Sequence, residues 1–151
     1  MPSTVNRVPS NTSAHINRQI HDQLAERVRF YSTHPKQIPQ RLKELDKEWD
    51  IERAIEANAS LVALTGIGLA AAKNRLWLIL PTFVTVFLFQ HAVQGWCPPV
   101  PVFRRLGFRT AREIASERYA LKAVRGDFDD LPVMQTIDEE KARRIVEAMN
   151  R

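Results

Sequence analysis

Few residues in this chain have the type and setting to do chemistry. Cys97 is the single cysteine, placed at the end of an apolar stretch beside Trp96 and Pro98 and ahead of Arg104 and Arg105. Positive neighbours favour a thiolate, whereas the C-terminal end of a helix disfavours one. No second cysteine exists to resolve an oxidised sulfur, and no base lies within sequence reach. The plain reading is a small residue fitted into a tight turn; the sharper reading is a redox or sulfur-handling thiol. His91 precedes Cys97 by about one and a half helical turns. With Gln90 and Gln94 it is expected to face headgroups or to hydrogen-bond across a helix pair, and it has no second protein ligand nearby to hold a metal or haem. The chain shows no paired-cysteine zinc motif, no glycine-rich phosphate loop, no Ser/His/Asp arrangement and no carboxylate pair at useful spacing. These residues imply a non-enzymatic protein with no cofactor and no metal.

The densest functional feature is cationic. Seven Lys and Arg residues stand against Glu113 and Glu117 between Arg104 and Arg125. Each cation near an anionic leaflet contributes about 1 kcal/mol of attraction. Arg104, Arg105, Arg109, Arg112, Arg118 and Lys122 are therefore expected to contact lipid headgroups or a protein partner, with Ile114, Leu121 and Val124 in the interface. A solvated helix that merely obeys the positive-inside bias is the plain reading. The pI near 9.8 also fits nucleic acid, but no groove-reading motif accompanies the basic run, so nucleic acid is not an expected partner.

These side chains must be positioned by an all-α chain. Residues 1–13 read as a flexible N-terminal arm, rich in Ser, Thr, Asn and Pro. Ser13 is placed to cap a helix whose apolar face is Ile16, Ile20, Leu24, Val28 and Tyr31. A second amphipathic helix is predicted from Pro39, continuing without a break into the apolar run that ends at Ala72. Residues 14–54 are thus expected to be cytoplasmic amphipathic helices. Lys73-Asn74-Arg75 is too short a polar link for anything but an antiparallel pair of helices. Gly95 and the three prolines Pro98, Pro99 and Pro101 end the second of them, so residues 97–126 are expected to be a Pro-rich turn followed by a basic juxtamembrane helix. Thr110 with Glu113 forms a capping box opening that helix, and Gly126 is placed to close it. Residues 127–151 read as an acidic linker and a last helix, with Thr136 and Glu139 repeating the capping box.

Residues 55–96 are expected to be a transmembrane hairpin of two helices. No charge falls between Ala57 and Ala72, or between Leu76 and Phe103. A membrane span needs about 20 mostly apolar residues. The second segment is apolar on every side, which suits lipid better than the surface of a small domain. Trp77 and Trp96 bracket it at interfacial positions. Ala59, Ala63, Gly66, Gly68, Ala70 and Ala72 give the first segment small-residue spacings that let backbones approach, so they are expected at a helix–helix contact. Pro81 is tolerable there if Thr82 or Thr85 satisfies a freed carbonyl. The N-terminal MPSTVNR lacks an apolar signal core, so membrane entry is expected through the internal segments. Lys and Arg cluster before the first span and after the second, which places both termini in the cytoplasm.

The stretch GWCPPVPVFRRLGFRT following two hydrophobic helices resembles the end of the YgaP-type inner-membrane transmembrane domain family. The matching residues are Gly95, Trp96, Cys97, Pro98, Leu106, Gly107 and Thr110. The broader run from about Val5 to Phe128 resembles a proteobacterial group that adds helical flanks to this domain. The resemblance implies a two-helix membrane hairpin in a bacterial inner membrane that forms homodimers. Some relatives join the hairpin to a rhodanese sulfur-transfer domain; this chain has no rhodanese active-site loop, so that activity does not carry over. The resemblance also implies no established catalytic role for Cys97.

Overall fold

The computed structural model describes residues 5–129 and Arg143, and every regular element among them is helical. In chain order these are α1 (Arg7–Ser10), α2 (Ala14–Thr33), α3 (Ile38–Leu45), α4 (Ile51–Ala72), α5 (Ile79–Gln94), α6 (Val100–Arg105) and α7 (Ala111–Arg125). Single 3-10 turns, Pro35–Gln37 and Arg75–Leu78, lead into α3 and α5. The described residues divide into two compact units, one of residues 5–22 and 49–113, the other of 23–48 with 114–129. The expected helix around Thr136 and Glu139 lies outside the described residues.

Local sequence signals account for most element ends. The Ser13 hydroxyl accepts the Ile16 N–H at 3.4 Å at the start of α2. The Asn74 side chain accepts the Leu76 N–H at 2.9 Å and so reverses the chain between α4 and α5. Gly95 closes α5 at φ 75°, a left-handed conformation that glycine adopts without a Cβ penalty. The Thr110–Glu113 box forms reciprocally, at 3.2 Å for the Glu113 N–H and 2.8 Å for the Thr110 N–H.

The chain differs from its sequence reading in several places. The helix expected to run from Pro39 to Ala72 is interrupted after Leu45, and α4 starts at Ile51. The cause is Asp50, whose carboxylate accepts the Arg53 N–H at 2.8 Å and nucleates a separate helix. Pro81 sits in the first turn of α5, where its missing N–H is one that a helix leaves unpaired anyway, so it breaks nothing. Thr82 and Thr85 bond back to the carbonyls of Leu78 and Pro81, both at 2.8 Å. The segment expected as a Pro-rich turn contains α6, because Pro99 and Pro101 occupy positions where proline starts a helix. The expected arm is docked from Val8 onward: Val8 is 1 % exposed and packs with Ile51, Ile55, Cys97 and Val100.

In the first unit, α4 and α5 are joined through the Asn74 turn and pack on each other. Gly66 is the point of closest approach, and a Cβ built there would lie 2.5 Å from Pro81 Cδ. Both helices are long and apolar enough to cross a membrane, α4 over Ile51–Ala72 and α5 with its leading turn over Arg75–Gln94. Only 17 % of the first window and 6 % of the second are buried within the protein. A core helix of a soluble protein is mostly buried; these two leave Leu61, Leu64, Leu76, Ile79, Phe83 and Phe89 exposed.

In the second unit, Ile38, Leu42 and Leu45 of α3 meet Ile114 and Leu121 of α7, with Tyr31 of α2 against them. Glu117 is fully buried here and is bonded by Arg41 at 2.8 Å and Arg27 at 3.3 Å. Burial is the largest single influence and works against the Arg41 charge, but Glu117, Glu44 and Glu48 together outweigh it and hold the guanidinium more firmly protonated than usual.

Candidate functional site

The first unit gathers its ionisable groups into two clusters. The first is built on Arg104 of α6, which is 1 % exposed. Its guanidinium forks onto the Glu113 carboxylate at 2.7 and 2.8 Å and also donates to the Phe108 carbonyl at 3.1 Å and to the Asn17 side chain at 3.1 Å. The same carboxylate is the acceptor half of the capping box, so one acidic group orients α6 and the start of α7 together. Burial raises the Glu113 pKa, but the Arg104 bonds and the Thr110 N–H outweigh it and hold the carboxyl below the 4.5 of a free glutamate.

A depressed carboxylate pKa stabilises the fold at pH above the unfolded value, and that contribution is lost as pH falls through the folded value. The thermal midpoint is therefore expected to hold near neutrality and to fall once the pH drops below the 4.5 of a free glutamate. Glu113→Gln should start from a lower midpoint and lose less of it over the same acid range, measured by circular dichroism against pH.

The second cluster surrounds the thiol. His91, near the end of α5, is 4 % exposed. Its Nε2 and the Glu52 carboxylate of α4 are 2.6 Å apart. Glu52 also accepts from Arg7 at 3.0 Å, and Arg7 reaches the Ala92 carbonyl at 3.2 Å. Gly95 allows this, since any Cβ there would fall 2.6 Å from the Arg7 backbone. The imidazole also interacts with the Cys97 thiol, and its buried Nδ1 closes no hydrogen bond. The order is a carboxylate, an imidazole and a thiol, the arrangement that activates a sulfur nucleophile.

A pocket of about 260 Å³ adjoins the thiol. Ile55, Ala59 and Val62 of α4 and Val84, Phe87 and Leu88 of α5 line it, and Cys97 is part of its wall. Cys97 itself is 2 % exposed and packs in the same cluster as Val8 and Val100. Among the described residues, no group of three His, Cys, Asp or Glu side chains is placed to hold a metal ion.

The expected headgroup cations separate into two sets. Arg104, Arg109 and Lys122 are buried, at 1 %, 3 % and 3 % exposure, and cannot serve as surface contacts as the sequence reading had them. Arg104 is withdrawn by the Glu113 fork, and Arg109 lies where its carbonyl receives the Ile51 N–H at 2.8 Å. Arg105 and Arg112 are exposed, the latter bonded to Asn6 at 3.0 Å, and Arg118 is half-buried against Asp46. Of the expected packing residues, Gly66 is buried against α5, whereas Gly68 has nothing within 4 Å of its Cβ direction.

Sequence reasoning missed Glu52 and Arg7 as partners of His91. Glu52 follows the capping Asp50 and reads there as an ordinary first-turn acid of α4. The one usable signal was His91 itself, a titratable group near the end of an apolar helix that needs a counter-charge. No family model, curated protein or solved structure matches this chain.

Proposed function

We propose that this chain is a non-enzymatic membrane module. In this reading α4 and α5 cross the bacterial inner membrane as a hairpin with both termini in the cytoplasm, and the flanking helices face lipid or a protein partner. The observation that carries it is the pair of long apolar helices left almost wholly uncovered, 17 % and 6 % buried. Orientation follows from the cations beyond the two ends of the hairpin, among them the exposed Arg105. Homodimerisation, as in the YgaP-type domains the sequence resembles, would use the open side of α4 around Gly68, since Gly66 is engaged within the chain. Membrane fractionation with an alkaline carbonate wash tests the core of this reading. The protein should stay in the pellet and be released only by detergent; recovery in the wash would make the pair a peripheral patch.

A second reading is favoured by one observation. The unpartnered Nδ1 of His91 beside Cys97 supports a redox or sulfur-handling thiol at the cytoplasmic interface.

A further inference from the structure

We propose that Cys97 is an acyl-acceptor thiol, loaded from a long-chain acyl thioester whose chain lies in the pocket between α4 and α5. Three observations meet at this sulfur. His91 is buried, and its Nδ1 closes no hydrogen bond although the thiol is in range. The Glu52 carboxylate stands 2.6 Å from the opposite ring nitrogen, which orients the ring and stabilises the charged form it takes on accepting a proton. The pocket in whose wall Cys97 sits is aliphatic and aromatic, with Asn58 its one polar side chain besides the thiol.

The apolar lining selects the substrate class. A small polar disulfide or a hydrated sulfur carrier gains nothing from Val62, Val84, Phe87 and Leu88, whereas each buried methylene of an acyl chain strengthens binding about fourfold. A cysteine at the edge of an apolar span is also where thioester-linked acyl chains occur in membrane proteins. The pocket of about 260 Å³ holds part of such a chain, and the exposed apolar surfaces of Phe83 and Leu61 lie on the same two helices. Asn58 is the one lining side chain with an amide N–H to offer a thioester carbonyl.

The reaction balances without an oxidant. His91 Nδ1 takes the Cys97 proton, and the sulfur attacks the donor's carbonyl carbon to form a new carbon–sulfur bond. The donor's carbon–sulfur bond breaks, and its departing thiolate takes the proton back from Nδ1. Glu52 holds the imidazole through both transfers and stabilises its charged form. The product is a thioester on Cys97 and a free donor thiol. The inference goes beyond the membrane-module reading and rests on it only for the place of Cys97 at the edge of a span; loading in detergent and membrane fractionation can fail independently.

The full chain in detergent micelles is incubated with palmitoyl-coenzyme A and followed by intact mass spectrometry. One palmitoyl adduct should form, be removed by neutral hydroxylamine and be absent from Cys97→Ser. Acetyl-coenzyme A should load more slowly by on the order of 10²-fold. Val62→Trp, which fills the pocket and leaves the thiol, should cut palmitoyl loading about tenfold while iodoacetamide alkylation of Cys97 keeps its rate. His91→Gln should slow both reactions by about 10²-fold. No palmitoyl adduct on a thiol that iodoacetamide alkylates would overturn the proposal, as would equal loading by the acetyl and palmitoyl donors. An adduct on the purified protein that a thiol reductant removes and hydroxylamine does not would overturn it in favour of the sulfur-handling reading.

Discussion

Arg104→Ala is expected to destabilise the first unit by about 3–5 kcal/mol, the largest loss from any single side chain described above. Arg104 donates to Glu113 twice, to the Phe108 carbonyl and to Asn17, with its side chain fully enclosed. Truncation strands the Glu113 carboxylate beside a cavity and removes donors from Phe108 and Asn17 together. Arg104→Lys keeps the charge but not the planar fork, so it should recover only part of the loss. Arg105→Ala, at the exposed neighbouring position, should stay within about 0.5 kcal/mol of the parent. Urea unfolding in mild detergent, followed by tryptophan fluorescence, checks all three. Equal effects at positions 104 and 105 would refute the buried-fork account.

The second large effect belongs to Gly66. A Cβ there would meet Pro81 Cδ at 2.5 Å, Leu80 Cβ at 3.1 Å and the Trp77 carbonyl at 3.3 Å. The proline ring and the carbonyl have little freedom to move away, so Gly66→Leu must push α4 and α5 apart. Gly68, two residues on in the same helix, has nothing within 4 Å. Gly68→Leu should be tolerated by the fold, and in water a glycine replaced within a helix typically gains about 0.5–1 kcal/mol. A disulfide engineered across α4 and α5 reads the outcome. Cross-linking efficiency should collapse in Gly66→Leu and persist in Gly68→Leu. If both variants cross-link like the parent, the close approach at Gly66 does not hold the pair together. The contrast also bears on association between copies, because Gly68→Leu blocks the open face of α4 without disturbing the pair.

The two predictions show how differently neighbouring residues of one type are used. Arg104 and Arg105 are indistinguishable as members of a basic run, and Gly66 and Gly68 as members of a small-residue stripe. Sequence position alone assigns both arginines to lipid and both glycines to a helix contact. Packing makes one of each pair structural and leaves the other exposed. The thiol cluster has the same character. Arg7, Glu52, His91 and Cys97 come from α1, α4, α5 and the turn beyond it, so no spacing along the chain announces them.

The sequence by itself determined what depends on short-range physics. Helical character, the Asn74 reversal, the Gly95 stop and the Thr110–Glu113 box are all set by groups within a few residues of each other. The two apolar helices were equally legible, because uninterrupted hydrophobicity is a property of composition along the chain. Tertiary structure alone decided the fate of the charges. A guanidinium or carboxylate is stable in the interior only against a specific partner, and the partners of Arg104, Glu117 and His91 include residues tens of positions away: Asn17, Arg41 and Glu52. It also decided that Val8 belongs to a core, since burial depends on what the rest of the chain brings to it. Local propensity fixes where helices begin and end; which of their side chains meet is settled by packing, and the site is made of those meetings.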